Sequence, residues 1–357
     1  MRKTRKVSKK KLQKMMRRRI CLFFLLIIII VVLSIVLINK GKSKEETESV
    51  DVKQSSVENT GDTIEPVIDI GSSKITMVLG EKYVDDVKAS DNVDGDVTSK
   101  IEVSGSVNTS KIGTYELEYS VSDNAGNKAI AKRKVVVCNE LTNGLPVLMY
   151  HFFYDKNTGT GKDNNYIEIS DFEEEMKYLS DNNFYFPSWE EVEKYVDGEI
   201  KLPEKSVVIT VDDGDDSFFE LAVPIIQKYN VKATSFVITS WYGYRAANKE
   251  ENINYQSHSD SMHEGGANGK GVMLSWSYDK ILADVKQSST VLGGSTVFCY
   301  PFGQYNDLDI KVLQDAGYKL AFTTAGGRVY KGSSKYELPR VRISKNTSLS
   351  EFKNMVK

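Results

Sequence analysis

The sequence predicts an α/β chain with one N-terminal transmembrane helix, a small all-β sandwich and a parallel sheet or (β/α) barrel. Three observations support this prediction. A run of 19 uncharged residues follows a basic N-terminus, short alternating runs with turn signals come next, and strand-like and helix-like segments alternate from about residue 145. The composition, 40% hydrophobic and 27% charged, excludes a wholly disordered or collagen-like chain of 357 residues.

The charge of the chain is unevenly distributed. Residues 1–19 hold eleven Lys and Arg and no acid, whereas the other 338 residues carry 36 basic and 49 acidic side chains, a net charge of −13. A basic run can indicate nucleic-acid binding. Its position beside an apolar segment instead favours a cytoplasmic tail in contact with anionic lipid, and we expect no nucleic-acid partner.

Residues 20–38 form the predicted membrane anchor. As a helix they would span roughly 28 Å, about the hydrocarbon thickness of a bilayer. The apolar region of a cleaved signal peptide is shorter and is followed by small residues, which this segment lacks. A buried core helix fits badly because the segment is apolar on every face. The positive-inside rule then predicts a single-pass cell-membrane protein with everything after about residue 40 outside the cell.

Residues 39–63 are polar and rich in Ser, Glu and Lys, which is typical of a flexible stalk. The three cysteines do not indicate a disulfide framework or a zinc–thiolate site. Cys21 lies in the predicted anchor, and nothing in the sequence supports a bridge between Cys138 and Cys299.

Residues 64–138 predict the all-β sandwich. Alternating runs at residues 74–79, 114–121 and 129–137 are separated by turn signals. These segments resemble bacterial surface Ig-like or cadherin-like modules, which implies a spacer or docking role without chemistry. The acidic residues Asp91, Asp94 and Asp96 do not match the spacing of an EF-hand loop, and we interpret them as turn residues.

Residues 145–357 predict the domain with alternating strands and helices. Capping boxes predict helix starts at Ser170, Ser188 and Ser348, and an amphipathic pattern predicts a helix over 218–229. Candidate strands lie at residues 146–150, 207–211, 233–238, 297–300, 320–323 and 340–343. In a parallel sheet or barrel, polar residues at the C-terminal ends of strands are the expected site of chemistry.

Two groups of polar residues could carry that chemistry. Asp212 and Asp213 follow the apolar strand at 207–211, either as an acidic turn or as a site whose charge is neutralised. Two of the three histidines, His258 and His263, lie five residues apart, a spacing that would put them on different faces of a helix. One carboxylate with two histidines is a recognised ligand set for a catalytic divalent metal.

The motifs TVDDG at 210–214, HSDSMH at 258–263 and FCYPFG at 298–303 make residues 145–357 resemble a polysaccharide deacetylase. The resemblance is to the NodB homology domain of carbohydrate esterase family 4, and it implies a deformed (β/α) barrel. It implies Asp212 as general base and Asp213, His258 and His263 as ligands of one metal ion. The implied metal is commonly zinc, with cobalt, nickel or manganese as alternatives. An oxyanion would rest on the metal and on the backbone N–H of Phe302, because Pro301 has none.

The sequence departs from the commonest family pattern in two ways. Cys299 stands where the family usually has an arginine, so Arg340 or Arg342 is expected to orient Asp212, with Arg340 favoured. No histidine follows His263 to act as the general acid. His151, at the end of the first candidate barrel strand, resembles the rearranged branch of the family in which an early Tyr-His supplies this group.

The resemblance leads us to expect a metal-dependent N-deacetylase acting on a glycan that contains N-acetylglucosamine, with peptidoglycan as the first expected substrate and poly-N-acetylglucosamine as the alternative. O-deacetylation of a polymer such as acetylxylan is a second hypothesis, and a surface adhesin that only binds glycan is a third. A binding module has no need of two adjacent carboxylates, which favours an enzyme. Candidate sugar-stacking aromatic residues are Trp241, Tyr242, Tyr244, Trp276 and Tyr305.

Overall fold

The computed structural model describes residues 61–266 and 269–357. The predicted basic tail, the predicted anchor at residues 20–38 and residues 39–60 of the predicted stalk lie outside the described residues. Within the part of the chain that is described, no helix is both long and apolar enough to cross a membrane.

The first described module consists of two β-sheets. One sheet has the order β1-β3-β4, and the other has the order β2-β7-β6-β5 with β2 parallel to β7. Inward side chains alternate along the long hairpin β6–β7, as half-buried strands require. The strands are β1 Val67–Asp69, β2 Lys74–Val78, β3 Lys88–Asp91, β4 Gly95–Asp96, β5 Glu102–Ser104, β6 Gly113–Ser122 and β7 Lys128–Cys138.

The acidic residues of this module serve its turns. Asp91 Oδ1 accepts hydrogen bonds from the amides of Val93 and Asp94, and Asp96 Oδ1 accepts one from the amide of Thr98. These contacts match the interpretation of these residues as turn formers. Cys138, at the end of β7, is a free thiol, and so is Cys299.

The second module is a closed barrel of parallel strands in the order β11-β12-β13-β14-β15-β16-β8. It closes because β8 pairs with β11 on one side and with β16 on the other. The barrel is irregular, since β13 and β14 share one residue pair and the register shifts between β15 and β16. The barrel strands are β8 Val147–Tyr150, β11 Val208–Val211, β12 Ala233–Val237, β13 Ile253–Ser257, β14 Val297–Cys299, β15 Leu320–Gly326 and β16 Leu338–Arg342.

The predicted α/β fold class is confirmed, and most predicted elements lie where the sequence placed them. A small parallel pair, β9 Phe152–Tyr154 and β10 Tyr166–Glu168, follows β8. The helices around the barrel are α1 Ile169–Asp181, α2 Trp189–Val196, α3 Val223–Lys228, α4 Thr239–Tyr242, α5 Tyr278–Val291, α6 Asp307–Asp315 and α7 Leu349–Met355.

Two of the three predicted capping boxes are confirmed, those at Ser188 and Ser348. The box at Ser170 is wrong, because the carboxylate of Glu168 caps α1 by accepting a hydrogen bond from the Ser170 amide. Glu173, its expected partner, instead accepts hydrogen bonds from Lys228 and Tyr229.

The predicted helix over 218–229 is also not uniform. It begins with a π-helical turn at Phe218–Ala222 and continues as α3. Pro224 lies at the junction and has no N–H to donate to the preceding turn, so a regular α-helical hydrogen bond is lost there.

The packing of α1 against the barrel buries one carboxyl group. The hydroxyl of Tyr150, the last residue of β8, donates a hydrogen bond of 2.7 Å to Glu175 Oε2. Burial raises the pKa of Glu175 to about 8. The side chain is therefore mainly a neutral carboxylic acid at neutral pH, held between α1 and the barrel wall.

We expect Glu175→Gln to stabilise the chain at neutral pH. The pKa of Glu175 is higher in the folded state than its ordinary 4.5, so the stability of the wild type falls as pH rises from about 4.5 to about 8. A neutral glutamine removes that loss. At about pH 7.5 the free energy of unfolding should rise by about 1–3 kcal/mol, and the gain should shrink toward about pH 4.5.

The measurement is chemical denaturation of the full chain across this pH range. Glu174→Gln makes the same substitution at an exposed neighbour on the same helix and should change stability by less than about 0.5 kcal/mol. A Glu175→Gln chain that is less stable than the wild type at every pH contradicts the assignment.

Candidate active site

The two adjacent carboxylates follow β11 at the C-terminal end of the barrel. The Asp212 amide extends the strand ladder by donating to the Tyr150 carbonyl at 3.0 Å. The backbone then turns sharply, with φ of 72° at Asp213 and 77° at Gly214. A Cβ at Gly214 would lie 3.1 Å from Val237 Cγ1, so the tight turn favours glycine there. The turn gives the two carboxylates different partners.

Asp212 is paired with Arg340 of β16 inside the barrel. The guanidinium donates to both carboxylate oxygens at 2.7 Å, and both side chains are buried. Arg340 also donates to the Thr210 hydroxyl at 3.1 Å and to the Thr323 carbonyl at 3.0 Å. Burial alone would raise the pKa of Asp212, but the charge and hydrogen bonds of Arg340 hold it well below its ordinary value. Asp212 is therefore ionised at neutral pH.

Cys299 makes room for this pairing. Its thiol lies at the end of β14, 3.1 Å from Arg340 Nη2 and 3.6 Å from Asp212 Oδ2. The guanidinium thus reaches Asp212 from β16, past a small side chain on β14. Arg342 does not take part, because its guanidinium donates to Asn165 at the surface. Of the two candidate arginines, Arg340 is the one that contacts Asp212.

Asp213 faces the two histidines. The Oδ1 atom of Asp213 lies 3.5 Å from His258 Nε2 and 3.5 Å from His263 Nε2. The other ring nitrogen of His258 is held by the Cys299 carbonyl at 2.7 Å, which fixes the orientation of the ring. Among the described residues, Asp213 Oδ1 is buried and has no hydrogen-bond partner. The predicted ligand set is therefore brought together around one orphaned oxygen.

These three residues fit a divalent metal ion. Ligand atoms around a tetrahedral ion with bonds of about 2.0–2.1 Å are separated by about 3.4 Å, close to the spacing at Asp213. Burial lowers the pKa of His258 to about 3 and also lowers that of His263, so both imidazoles are neutral at neutral pH, the form in which histidine binds a metal. Burial and the charge of Asp212 raise the pKa of Asp213 to about 7. A bound cation would offset the repulsion between the two carboxylates.

A second cluster, Asp212, His258 and Cys299, also has metal-ligand atoms close together. Arg340 already occupies both oxygens of Asp212 and contacts the Cys299 sulfur. Burial raises the pKa of the Cys299 thiol well above its ordinary value, so the thiolate form is disfavoured. This cluster fits a metal ion less well than the set around Asp213.

His151 contacts the same carboxylate as Arg340. It directly follows β8, and its Nε2 atom lies 3.7 Å from Asp212 Oδ2. Its side chain is largely buried, and burial lowers its pKa against the opposing effect of Asp212. The structure thus places the third histidine at the site, while its role as general acid stays a prediction.

Phe302 lies in the turn after β14, with a φ of 60°. The next residue must be small, because a Cβ at Gly303 would lie 2.2 Å from Thr324 Oγ1. The Phe302 ring is 42% exposed, and its centroid is 4.3 Å from that of His263. The predicted oxyanion donor therefore lies next to a candidate metal ligand, and its role stays a prediction.

Thr210 is a site residue that the sequence reasoning missed. Its hydroxyl donates to the Leu148 carbonyl at 2.6 Å and accepts a hydrogen bond from Arg340. Thr210 could have been identified from the sequence, because it is the polar residue in the apolar run at 207–211 and lies two residues before Asp212.

Comparison with known proteins places this geometry in a family. The family model "Polysaccharide deacetylase" matches residues 199–321. YxkH of Bacillus subtilis (strain 168), which is assigned as a polysaccharide deacetylase, is 30% identical over 217 residues, 58% of this chain and 74% of YxkH. The chain belongs to the polysaccharide deacetylase family. The expected enzyme class is thereby confirmed, and "Bacterial surface protein, Ig-like domain" matches residues 70–137.

Other polysaccharide deacetylases are similar to the same region. The poly-β-1,6-N-acetyl-D-glucosamine N-deacetylase of Staphylococcus aureus (strain MRSA252) is 28% identical over 54% of this chain and 71% of its own length. The Streptococcus pyogenes deacetylase PplD, solved with acetate, superposes with a TM-score of 0.53 at 25% identity, over 60% of this chain and all of PplD. IcaB from Ammonifex degensii, at 22% identity and a TM-score of 0.52 over 60% of this chain and 97% of IcaB, supports the fold.

The matched segment of the polysaccharide deacetylase model includes Asp212, Asp213, His258 and His263. His151 and Arg340 lie outside it, so their assignment to the site rests on the distances to Asp212 given above.

We expect Arg340→Met to abolish most deacetylase activity. The substitution leaves the buried Asp212 carboxylate without its partner and raises its pKa, so kcat/KM should fall by at least about 100-fold. Arg342→Met, a matched change two residues away at an exposed arginine, should stay within about twofold of the wild type.

Moving the arginine from β16 to β14 tests whether the guanidinium itself is required. Arg340→Cys should be as inactive as Arg340→Met, and adding Cys299→Arg returns a guanidinium beside Asp212 from β14. The double variant should recover at least about tenfold in kcat/KM over Arg340→Cys. Full activity of Arg340→Met contradicts the assignment.

Proposed function

We propose that this protein is a membrane-anchored, metal-dependent hydrolase that removes N-acetyl groups from a glycan containing N-acetylglucosamine, outside the cell. One observation carries the proposal: Asp213 Oδ1, buried and unpartnered among the described residues, faces two histidine nitrogens at 3.5 Å beside an arginine-paired Asp212. That arrangement separates a metal-binding carboxylate from a proton-accepting one.

Asp213, His258 and His263 would hold the metal, with zinc the first candidate and cobalt, nickel or manganese the alternatives. When bound, the ion would supply a Lewis acid for the acetyl carbonyl and would lower the pKa of a water molecule. The carboxylate and the two neutral imidazoles leave coordination positions open for these groups.

Asp212 is the general base of the proposed reaction. Arg340 keeps it ionised and holds both of its oxygens in place, so it is ready to accept the proton of the attacking water. His151 Nε2, at 3.7 Å from Asp212 Oδ2, is close enough to receive that proton and pass it to the departing amine. The low resting pKa of His151 suits this sequence, because the imidazole starts neutral. The Phe302 amide is the proposed donor to the oxyanion.

Exposed aromatic rings beside the site support a sugar substrate. Trp241 is 48% exposed, and its ring lies 5.9 Å from that of His263, which Phe302 also contacts. Hydrogen bonds from Tyr242 to Asp215 and from Tyr244 to Asp216 tie the segment that carries Trp241 to the loop after β11. Aromatic faces at a cleft mouth stack on sugar rings.

The other two aromatic candidates have partners within the protein. The Trp276 ring lies under the Lys280 ammonium at 3.4 Å. Tyr305 stacks on Tyr300 at 4.8 Å and donates a hydrogen bond to Glu337. Of the five aromatic candidates, we therefore assign sugar stacking to Trp241.

The S. aureus relatives, named for action on poly-β-1,6-N-acetylglucosamine, make that polymer the first substrate to test, with peptidoglycan second. The basic tail and the uncharged residues 20–38 support a membrane location. The stalk and the Ig-like module would then separate the barrel from the bilayer.

The experiment is acetate release by the purified full chain from poly-β-1,6-N-acetylglucosamine, peptidoglycan and acetylxylan. We expect release from at least one of the N-acetylated polymers, loss of at least about 90% of it with a chelator, and recovery with zinc. Asp212→Asn should bind zinc but release no acetate. Release from acetylxylan alone would favour O-deacetylation, and no release from any polymer would favour a glycan-binding protein.

We expect Trp241→Ala to raise KM more than it lowers kcat. Loss of one stacked sugar ring should raise KM for a polymeric substrate about tenfold, with kcat within about threefold of the wild type. Tyr330→Ala is the control, because Tyr330 is also exposed, at 49%, but lies away from the candidate site. It contacts Gly144, which precedes the N-terminal end of β8, whereas the site is at the C-terminal ends of the strands. Unchanged KM values on every active polymer would contradict the role of Trp241.

A further inference from the structure

The two candidate histidine ligands are joined by a four-residue loop, SDSM at residues 259–262. The segment after β12 holds this loop on one side. The Thr239 amide donates to the Ser259 carbonyl at 3.1 Å, and the Thr239 hydroxyl donates to Asp260 Oδ1 at 2.7 Å. The Ser240 amide donates to the Asp260 carbonyl at 3.1 Å.

Asp284 of α5 holds the loop on the other side. Its Oδ1 atom accepts a hydrogen bond of 2.7 Å from the Asp260 amide. Its Oδ2 atom accepts two bonds of 2.8 Å from Ser261, one from the amide and one from the hydroxyl. The carboxylate thus binds two consecutive amides of the loop between His258 and His263.

The position of Asp284 is unusual for an acidic residue. It is 6% exposed and lies on the buried face of α5 with Ile281, Val285 and Ser288. None of the ion pairs among the described residues includes Asp284. A buried carboxylate is costly unless hydrogen bonds satisfy it, and here the loop amides supply them.

The loop that these contacts hold is strained. Ser259 has a φ of 73°, a conformation that is uncommon for residues other than glycine. Its hydroxyl accepts a hydrogen bond from the Met262 amide at 3.2 Å, and its own amide donates to the Ser257 hydroxyl at 3.1 Å. Such a conformation persists when its surroundings impose it.

We propose that Asp284 is a positioning residue, whose hydrogen bonds to the Asp260 amide and to the amide and hydroxyl of Ser261 fix His263 relative to His258 and thereby set the affinity of the metal site. The inference rests on the proposed function, since it takes Asp213, His258 and His263 as the metal ligands. Asp284 lies outside the ligand set and acts through the loop backbone. It keeps both imidazole nitrogens 3.5 Å from Asp213 Oδ1.

The test measures zinc affinity of the full chain by competition with a chromophoric chelator. Asp284→Asn replaces one acceptor oxygen with an NH₂ group, so that two hydrogen-bond donors face each other at one loop amide. The dissociation constant for zinc should therefore rise about 10- to 100-fold. Ser261→Ala removes the hydroxyl donor and keeps both amide bonds, so the rise should be about three- to tenfold. Asp279→Asn, an exposed carboxylate on the same helix, should stay within about twofold.

The visible absorption spectrum of bound Co²⁺ gives a second readout, and we expect it to change in Asp284→Asn because the ligand geometry changes. A folded Asp284→Asn chain with wild-type zinc affinity and Co²⁺ spectrum overturns the inference, even if its thermal stability is reduced. If Asp284→Asn does not fold, wild-type affinity in Ser261→Ala overturns it. A wild-type chain that binds none of zinc, cobalt, nickel and manganese overturns the proposed function itself.

Discussion

The interaction on which the candidate site depends is the pair of hydrogen bonds between Arg340 and Asp212 inside the barrel. Two adjacent carboxylates at a buried strand end repel each other, and without a cation at least one of them would be protonated. Of the two carboxylates, Asp212 is the one that accepts hydrogen bonds from Arg340, at 2.7 Å. Asp212 is therefore ionised, whereas the pKa of Asp213 is raised to about 7. One sequence motif thereby provides a candidate base and a candidate metal ligand.

The barrel brings the remaining groups to these carboxylates. Because its strands are parallel, their C-terminal ends meet at one end, and His151, Asp212 and His258 each directly follow a strand. Arg340 comes from within β16, deeper in the barrel, and reaches Asp212 past the small side chain of Cys299. The loop after β13, held by Asp284, then carries the chain to His263. Strand ends thus place three of these residues, the interior of β16 places Arg340, and a clamped loop places His263.

Local patterns in the sequence predicted much of this structure. The apolar run at 207–211 and the capping boxes at Ser188 and Ser348 depend on neighbouring residues, and the structure confirms them. The Ser170 box is wrong because Glu173 bonds to Lys228, 55 residues away, which no local pattern reveals. The contact of Arg340 with Asp212 spans 128 residues, and the sequence reached it only through the family resemblance and the absence of an arginine at position 299. Asp284 was missed because an acid on the buried face of a helix has no visible partner in the sequence.

The most direct test of the account is anomalous X-ray diffraction at the zinc edge from crystals of the chain grown with zinc. The account predicts one strong peak within about 2.0–2.2 Å of Asp213 Oδ1, His258 Nε2 and His263 Nε2. Asp212 should remain paired with Arg340 in the same crystals. A peak bonded to Asp212, His258 and Cys299, or no peak at this end of the barrel, would contradict it.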